Sequence, residues 1–326
     1  MDIITKEVGY IDIEMSKKLE KNMCFIDIET TGLNRDNDII YLIGILYYDM
    51  DMSSWKIKQY FAEDLKDEVR VLQNAIEYIS SFSTLVSYNG DSFDIPFIKH
   101  RLKLLNISWD LPRDRSLDIY AILRKNRMYL DMNSVKLTTV ERYLGIFRED
   151  IYTGKDCISF YRDYILNGNK ALKEKVLKHN FDDLYYLLPV LNILDKLEEK
   201  KTFYISHNNV DYPFLMEEIE LINDFLIIKA RTNETIFHNS YHYSNRYKII
   251  INNENKIEVS LEVSRGLIAP TEEALYIQNS KFGIKGFIGE KYNYNIGEDI
   301  TIITIGKKYM IGNIKNILAI LIENIL

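Results

Sequence analysis

Cysteine is scarce: Cys24 and Cys157 are the only two in 326 residues, and no Cys-x-x-Cys spacing occurs. A disulfide framework is therefore excluded, and a reducing cytoplasm is the expected compartment. No apolar run approaches the ~20 residues of a membrane-spanning helix. Ile317 to Ile322 is apolar, but Asn and Glu residues flank it. The N-terminus carries acidic residues early and has no apolar h-region, so no leader peptide and no membrane partner are expected. Internal repeats and low-complexity segments are absent. Basic residues are also in short supply: 41 Lys and Arg face 48 Asp and Glu, a net charge of −7. That balance argues against tight, sequence-independent coating of a duplex. What remains is an ordinary globular composition, 47% apolar and 27% charged, with length enough for two domains.

The most informative stretch is residues 25–33, Phe-Ile-Asp-Ile-Glu-Thr-Thr-Gly-Leu. Asp27 and Glu29 lie two apart in an apolar run, so on a strand both project from one face. Burying two like charges together is costly without a cation, and carboxylate oxygens suit Mg²⁺ or Mn²⁺. Alternation alone also fits an edge strand with a solvated acidic face, but Thr30-Thr31-Gly32 places a turn just past Glu29. In residues 84–98, Leu85 and Val86 suggest a short buried strand, Asn89-Gly90 a turn, and Asp91 or Ser92 a helix cap. Asp94 then falls in the first helical turn, where the macrodipole favours a negative charge, and Pro96 is tolerated there. A third segment, residues 178–184, places His179 and Asp183 four apart on one helix face. Such a pair serves either as a surface ion pair or as a general base beside a metal ligand. Asp182 points elsewhere on that helix.

Together these segments resemble the DEDD 3′–5′ exonucleases of the ribonuclease H-like superfamily. Asp27 and Glu29 match its first motif, Asn89, Phe93 and Asp94 its second, and His179 with Asp183 its third, in the DEDDh form. Residues 23–195 look like the bacterial YprB-type branch, as do the connecting pieces 116–119 and 136–146, although many members of that branch carry Tyr at the position of His179. The resemblance implies hydrolysis at the 3′ end of single-stranded DNA or RNA with two divalent ions, Mg²⁺ or Mn²⁺. It implies that Asp27 bridges both ions, Glu29 and Asp183 complete one site, Asp94 supports the other, and His179 takes a proton from water. Thr30, Thr31, Leu33, Asn89 and Phe93 are the implied substrate contacts. The acidic net charge is compatible with an enzyme that holds a few nucleotides at one strand end. Local basic density lies at Lys99, His100, Arg101 and Lys103, and again at Arg113, Arg115, Arg124, Lys125 and Arg127. A ribonuclease H-like endonuclease and a non-catalytic nucleic-acid-binding module are the alternatives.

The pattern along the chain is that of an α/β fold, a ribonuclease H-like mixed sheet with flanking helices, followed by a smaller, mostly β domain. Strands are expected at 23–29, 39–48, 55–61 and 84–87, and helices at 67–80, 92–105, 136–144, 157–166 and 170–199, the last with Pro189 as a possible kink. Residues 117–123 fit a strand or a short helix. After Lys200 the composition shifts to Ile, Asn, Tyr and Thr, with alternating runs at 225–231, 247–252, 256–263, 273–278 and 300–305 and helical spacing over 313–326. Asn253-Glu254-Asn255 suggests a hairpin. The division expected is 1–204 for the exonuclease domain and 205–326 for a β-rich accessory domain of unknown role. His238 and His242 are four apart but have no third ligand nearby. Tyr241, Tyr243, Tyr247, Tyr292 and Tyr294 are candidates for base stacking, although core and hairpin roles are commoner for Tyr.

Overall fold

A computed structural model describes residues 1–9, 15–148, 152–234, 239–252, 255–286, 289 and 294–325. The chain divides into two compact units, one of residues 1–127 and 132–196, the other of 128–131 and 197–326.

The first unit is built on a six-stranded sheet: β1 (Asp2–Glu7), β2 (Met23–Thr30), β3 (Ile40–Asp49), β4 (Ser54–Phe61), β5 (Thr84–Ser87) and β6 (Ser116–Asp118). The strand order is β1-β4-β3-β2-β5-β6, with β5 and β6 parallel to β2 and the rest antiparallel. The helices are α1 (Glu68–Ile79), α2 (Asp94–Leu104), α3 (Ile119–Lys125), α4 (Leu137–Tyr143), α5 (Gly154–Asn167), α6 (Lys170–Val190) and α7 (Ile193–Lys201). The division between units falls within α7.

Period-2 alternation sets the layers. Cys24, Ile26 and Ile28 of β2 join an apolar cluster with Val71, Leu72 and Ile76 of α1 and with Phe97, Ile98 and Leu102 of α2. Glu68 of α1 and Arg101 of α2 form a buried bidentate pair, 2.8 and 2.6 Å, and Glu68 also accepts from the Ile40 amide at 3.0 Å. That pair ties two helices to β3. Tyr41 and Tyr161 stack with centroids 3.8 Å apart, joining β3 to α5.

Three sequence expectations change in this unit. β1 is an edge strand that the run Asp2–Glu7, with only Ile3 and Ile4 apolar, does not advertise. The stretch 117–123 is both things at once, β6 ending at Asp118 and α3 beginning at Ile119. The helix expected over 170–199 is two helices, parted after Val190 just beyond Pro189.

The second unit holds a six-stranded antiparallel sheet of β7 (Thr202–His207), β8 (Val210–Ile222), β9 (Phe225–Arg231), β10 (Ser240–Tyr243), β11 (Tyr247–Ile251) and β12 (Lys256–Glu262), in the order β10-β11-β12-β9-β8-β7. A four-stranded sheet follows: β13 (Ser264–Ala269), β14 (Glu272–Gln278), β15 (Ile300–Ile305) and β16 (Lys308–Tyr309), with α8 (Ile311–Glu323) closing the chain. Ile228, Ile249 and Val259 of the larger sheet are buried, and Ile314, Ile317, Leu318 and Leu321 form the buried stripe of α8. The antiparallel pairing of β11 with β12 fits the hairpin expected there, although Asn253 and Glu254 lie outside the described residues. A boundary after residue 204 would cut β7, which pairs with β8 along its whole length. Among the described residues, no helix is long and apolar enough to cross a membrane.

Candidate active site

Asp27 and Glu29 leave β2 on the same side, as alternation requires. A β-bulge follows at once: Glu29 faces Leu42, but Thr30 faces Ile40. Such a bulge bends the strand end and re-aims the side chains beside it. β2 pairs with β5 only as far as Phe25. The Ile28 amide beyond that point donates to Asp94 Oδ1 at 3.2 Å, which draws the first turn of α2 against the strand. The turn before α2 is held by buried Asp118, whose carboxylate accepts from the Asn89 amide at 2.8 Å and the Asp91 amide at 3.0 Å. Asn89 takes a left-handed conformation, φ 69°, and a Cβ on Gly90 would stand 2.2 Å from Ser87 Oγ.

α6 brings the third segment. Asn169 caps it by accepting from the Ala171 amide at 3.0 Å. One face of α6 presents Asn180 and Leu184 to the sheet, both fully buried. Asn180 Nδ2 donates to Asp27 Oδ2 at 2.7 Å, and Gln59 Nε2 donates to Asn180 Oδ1 at 2.8 Å. Asp27, Gly44 and Gln59 are cross-strand neighbours on β2, β3 and β4. The glycine in the middle of that row makes the room that Asn180 occupies. Asp182 pairs with Lys178 at 2.6 Å, away from the cluster.

The residue before Asn180 in α6, His179, places its Nε2 3.7 Å from Glu29 Oε1 and 3.6 Å from Asp183 Oδ2. Asp183 also accepts from Arg148 Nη1 at 2.6 Å, and Arg148 in turn lies 3.3 Å from buried Glu141. Neither Arg148 nor Glu141 was expected from the sequence; Arg148 is 35 residues from Asp183, a separation that no local motif spans. Asn180, Asp118 and Gly44 were likewise missed, because each acts through a neighbour and none has a motif of its own.

Burial is the leading cause that pushes Asp27 and Glu29 well above the ordinary carboxylate range; repulsion from Asp183 and Asp94 adds to both, and repulsion from Glu29 adds to Asp27. Asp94 is raised to about 7, mainly by burial. Among the described residues, no Lys or Arg forms an ion pair with Asp27, Glu29 or Asp94, and Arg148 supplies a cation only at Asp183. Hard carboxylate donors that are buried, crowded and short of cations fit divalent metal ions.

A cavity of about 560 Å³ gathers Asp27, Glu29, Asp94, His179 and Asp183, together with Thr30, Leu33, Asn89 and Phe93. Tyr88, Lys155 and Ile158 also line it. Leu33 is 80% exposed at its rim. Thr31 does not line it; its hydroxyl donates to Asp38 Oδ1 at 3.1 Å and accepts from the Ile39 amide, so it serves the turn. A larger cavity of about 670 Å³, lined by Ile95, Lys99, His100 and Lys103, contains none of the four carboxylates. The basic residues noted around it are partly structural: Arg101 is spent on Glu68, His100 lies 2.8 Å from Asp36, and Arg115 donates to backbone carbonyls at 80–83.

In the second unit, Tyr241 and Tyr243 are exposed on the edge strand β10, whereas Tyr247 stacks on Phe282 and Tyr294 donates to Glu272 at 2.5 Å. His238 and Tyr292 lie outside the described residues, so the pairing of His238 with His242 has no structural description.

A sequence profile of the RNase_H superfamily matches residues 24–195, more than half of the chain, and the chain belongs to that superfamily. Nucleases of this kind generally use divalent metals, in keeping with the donor set described above. Among known proteins, the chain is similar to the uncharacterized protein YprB of Bacillus subtilis strain 168, 30% identical over 173 residues, which are 52% of this chain and 41% of that protein. It is also similar to a DNA polymerase of Methanocaldococcus jannaschii, 35% identical over 160 residues, 44% of this chain and 10% of the polymerase. The chain thus spans less than half the length of the curated relatives it matches. Among solved structures, the family B DNA polymerase from the hyperthermophilic archaeon Pyrobaculum calidifontis aligns over 54% of this chain and 24% of its own, with 17% identity and a TM-score of 0.41.

Proposed function

We propose that the chain is a metal-dependent 3′–5′ exonuclease that hydrolyses phosphodiester bonds at the 3′ ends of single-stranded DNA or RNA. The observation that supports this most is the gathering of Asp27, Glu29, Asp94, Asp183 and His179 around one cavity. In this reading the four carboxylates hold two divalent ions, Mg²⁺ or Mn²⁺. Bound there, the ions supply neutralising charge, a water of lowered pKa and stabilisation of the departing 3′ oxygen.

The chain's own groups do the rest. Asn180 holds the Asp27 carboxylate in place, and Asp94 is fixed by the Ile28 amide. His179, set between Glu29 and Asp183, accepts the proton of the attacking water. Leu33 offers an exposed apolar surface to the terminal base, and Asn89 and Thr30 offer polar contacts to the strand end. Lys155, at the start of α5, is the cation on the cavity wall available to a phosphate. The M. jannaschii relative is a DNA polymerase, which agrees with a nucleic-acid substrate. All residues in this scheme belong to the first unit, so the second is read as an accessory module.

The test is to incubate 5′-labelled linear and circular single-stranded oligonucleotides, DNA and RNA, with the protein and Mn²⁺. A ladder that shortens from the 3′ end, abolished by EDTA and absent with circles, is expected. Cleavage of circles would make the protein an endonuclease. Binding without cleavage under any metal would make it a nucleic-acid-binding module.

A further inference from the structure

Cys157 of α5 is fully buried, and no step of the hydrolysis uses it. Its position is set by a tight helix start: Thr153 and Asp156 form a capping box at the α5 N-terminus. The Cys157 Sγ, a Glu29 carboxylate oxygen and a His179 ring nitrogen all lie within 4.8 Å of one another. We propose that these three side chains form a coordination set for a thiophilic divalent ion, Zn²⁺ or Cd²⁺, and that filling it switches the nuclease site off.

The donor chemistry selects the ion. Sulfur, imidazole nitrogen and carboxylate oxygen are the ligands zinc takes, whereas Mg²⁺ and Mn²⁺ take oxygen. With bonds of ~2.0–2.3 Å, neighbouring ligands around a tetrahedral ion stand roughly 3.3–3.8 Å apart. His179 and Glu29 are already at that spacing, 3.7 Å. The thiol is within about 1 Å of it, a shift that side-chain rotation supplies. On binding, the thiol loses its proton to solvent. The thiolate and the Glu29 carboxylate then neutralise the dication, and the cavity side leaves a position for water. A hard ion gains little from a sulfur donor, so Mg²⁺ and Mn²⁺ do not recruit the thiol. An ion in this set takes the proposed base and one proposed metal ligand together, so Zn²⁺ should inhibit even when Mn²⁺ is abundant.

Inhibition rests on the nuclease reading; the coordination set does not, and the experiment separates the two. The full chain is titrated with Cd²⁺, following the ultraviolet thiolate-to-cadmium charge-transfer band, in wild type, C157S, C157A and C24A. One band per chain is expected in wild type and C24A, and none in C157S or C157A. Two substitutions are used because Ser keeps the size of the side chain and Ala its apolar character, and circular dichroism identifies which is folded. In parallel, Zn²⁺ is added to Mn²⁺-dependent hydrolysis. Losing an outer-shell partner already costs ~10–100-fold in metal affinity, so loss of the thiol should raise the half-inhibiting Zn²⁺ concentration by at least ~10-fold. No band in wild type, or a band that survives in both Cys157 variants, overturns the site. Unchanged Zn²⁺ inhibition in folded C157S overturns the switch. If no metal supports hydrolysis, the nuclease reading fails, and the band alone decides the site.

Discussion

Gly44→Ala adds one methyl group at the centre of the site's support. The new Cβ would stand 2.2 Å from Asn180 Oδ1 and 2.5 Å from Leu184 Cδ1. Leu184 Cδ1 is a rotatable tip and can move away. Asn180 cannot, because its Oδ1 accepts from Gln59 at 2.8 Å and its Nδ2 donates to Asp27 at 2.7 Å. Overpacking of a tight interior costs about 1–3 kcal/mol. Replacing a strand glycine by alanine returns about 0.5–1 kcal/mol of backbone entropy. The net loss centres on about 1 kcal/mol, which lowers Tm by roughly 2–4 °C in a unit of this size. Activity should fall further than stability does. Clearing the clash displaces Asn180 by about 1 Å, and misplacement on that scale costs up to ~10²-fold in rate. The assay is a double-mutant cycle with Asn180→Ala, which deletes the clashing amide. In that background Gly44→Ala should cost at least ~1 kcal/mol less than in wild type. A Gly44→Ala protein with wild-type Tm and wild-type turnover would refute the claim that Gly44 makes room for the Asp27 support.

The carboxylate cluster carries a pH signature. Asp94 is raised from 3.8 to about 7, so the folded metal-free protein binds its proton more tightly than the unfolded chain does. The stability this contributes is complete below the unfolded value and is lost as pH rises through the folded one. Asp27 and Glu29 shift in the same direction. The Tm of metal-free protein should therefore fall from about pH 5 to about pH 8, and Asp94→Asn or saturating Mn²⁺ should flatten the slope; a metal-free Tm that rises across this window contradicts the burial argument. His179→Ala should lower kcat by ~10²–10⁴ and leave Mn²⁺ affinity nearly unchanged. Isothermal titration of that variant, set beside single-turnover rates, checks both halves, and equal loss of binding and turnover would make His179 a ligand.

What the sequence revealed depended on how locally each feature is encoded. Asp27 with Glu29 and His179 with Asp183 were legible because strand and helix periods place residues two or four apart on one face. Strands β2 to β5 were legible from their apolar runs; β6 was not told apart from the helix that follows it, and β1, with only Ile3 and Ile4 apolar at the sheet edge, has no apolar alternation. The break between α6 and α7 was hidden because Leu187, Leu188, Leu191 and Leu194 sustain helical spacing across it; only Pro189 hinted at the interruption. Long charged residues on α2 read as a basic surface, yet Arg101 turns inward to Glu68, a partner that exists only once α1 and α2 are packed.

The supports of the site are legible only in three dimensions, and for a physical reason. A buried carboxylate needs hydrogen bonds and countercharge from outside its own element, because its own strand or helix has already committed its backbone donors. Asp27 draws on a helix 153 residues away, Asp94 on the amide of Ile28, and Asp183 on Arg148. Tertiary packing chooses these partners, so their residue types carry no signature of the role: an asparagine, a backbone amide, an arginine. Gly44 is the limiting case, since its contribution is the absence of a side chain. The same reasoning shows why Cys157 carries no motif in the sequence and becomes a candidate ligand only when α5 sets it against Glu29 and His179.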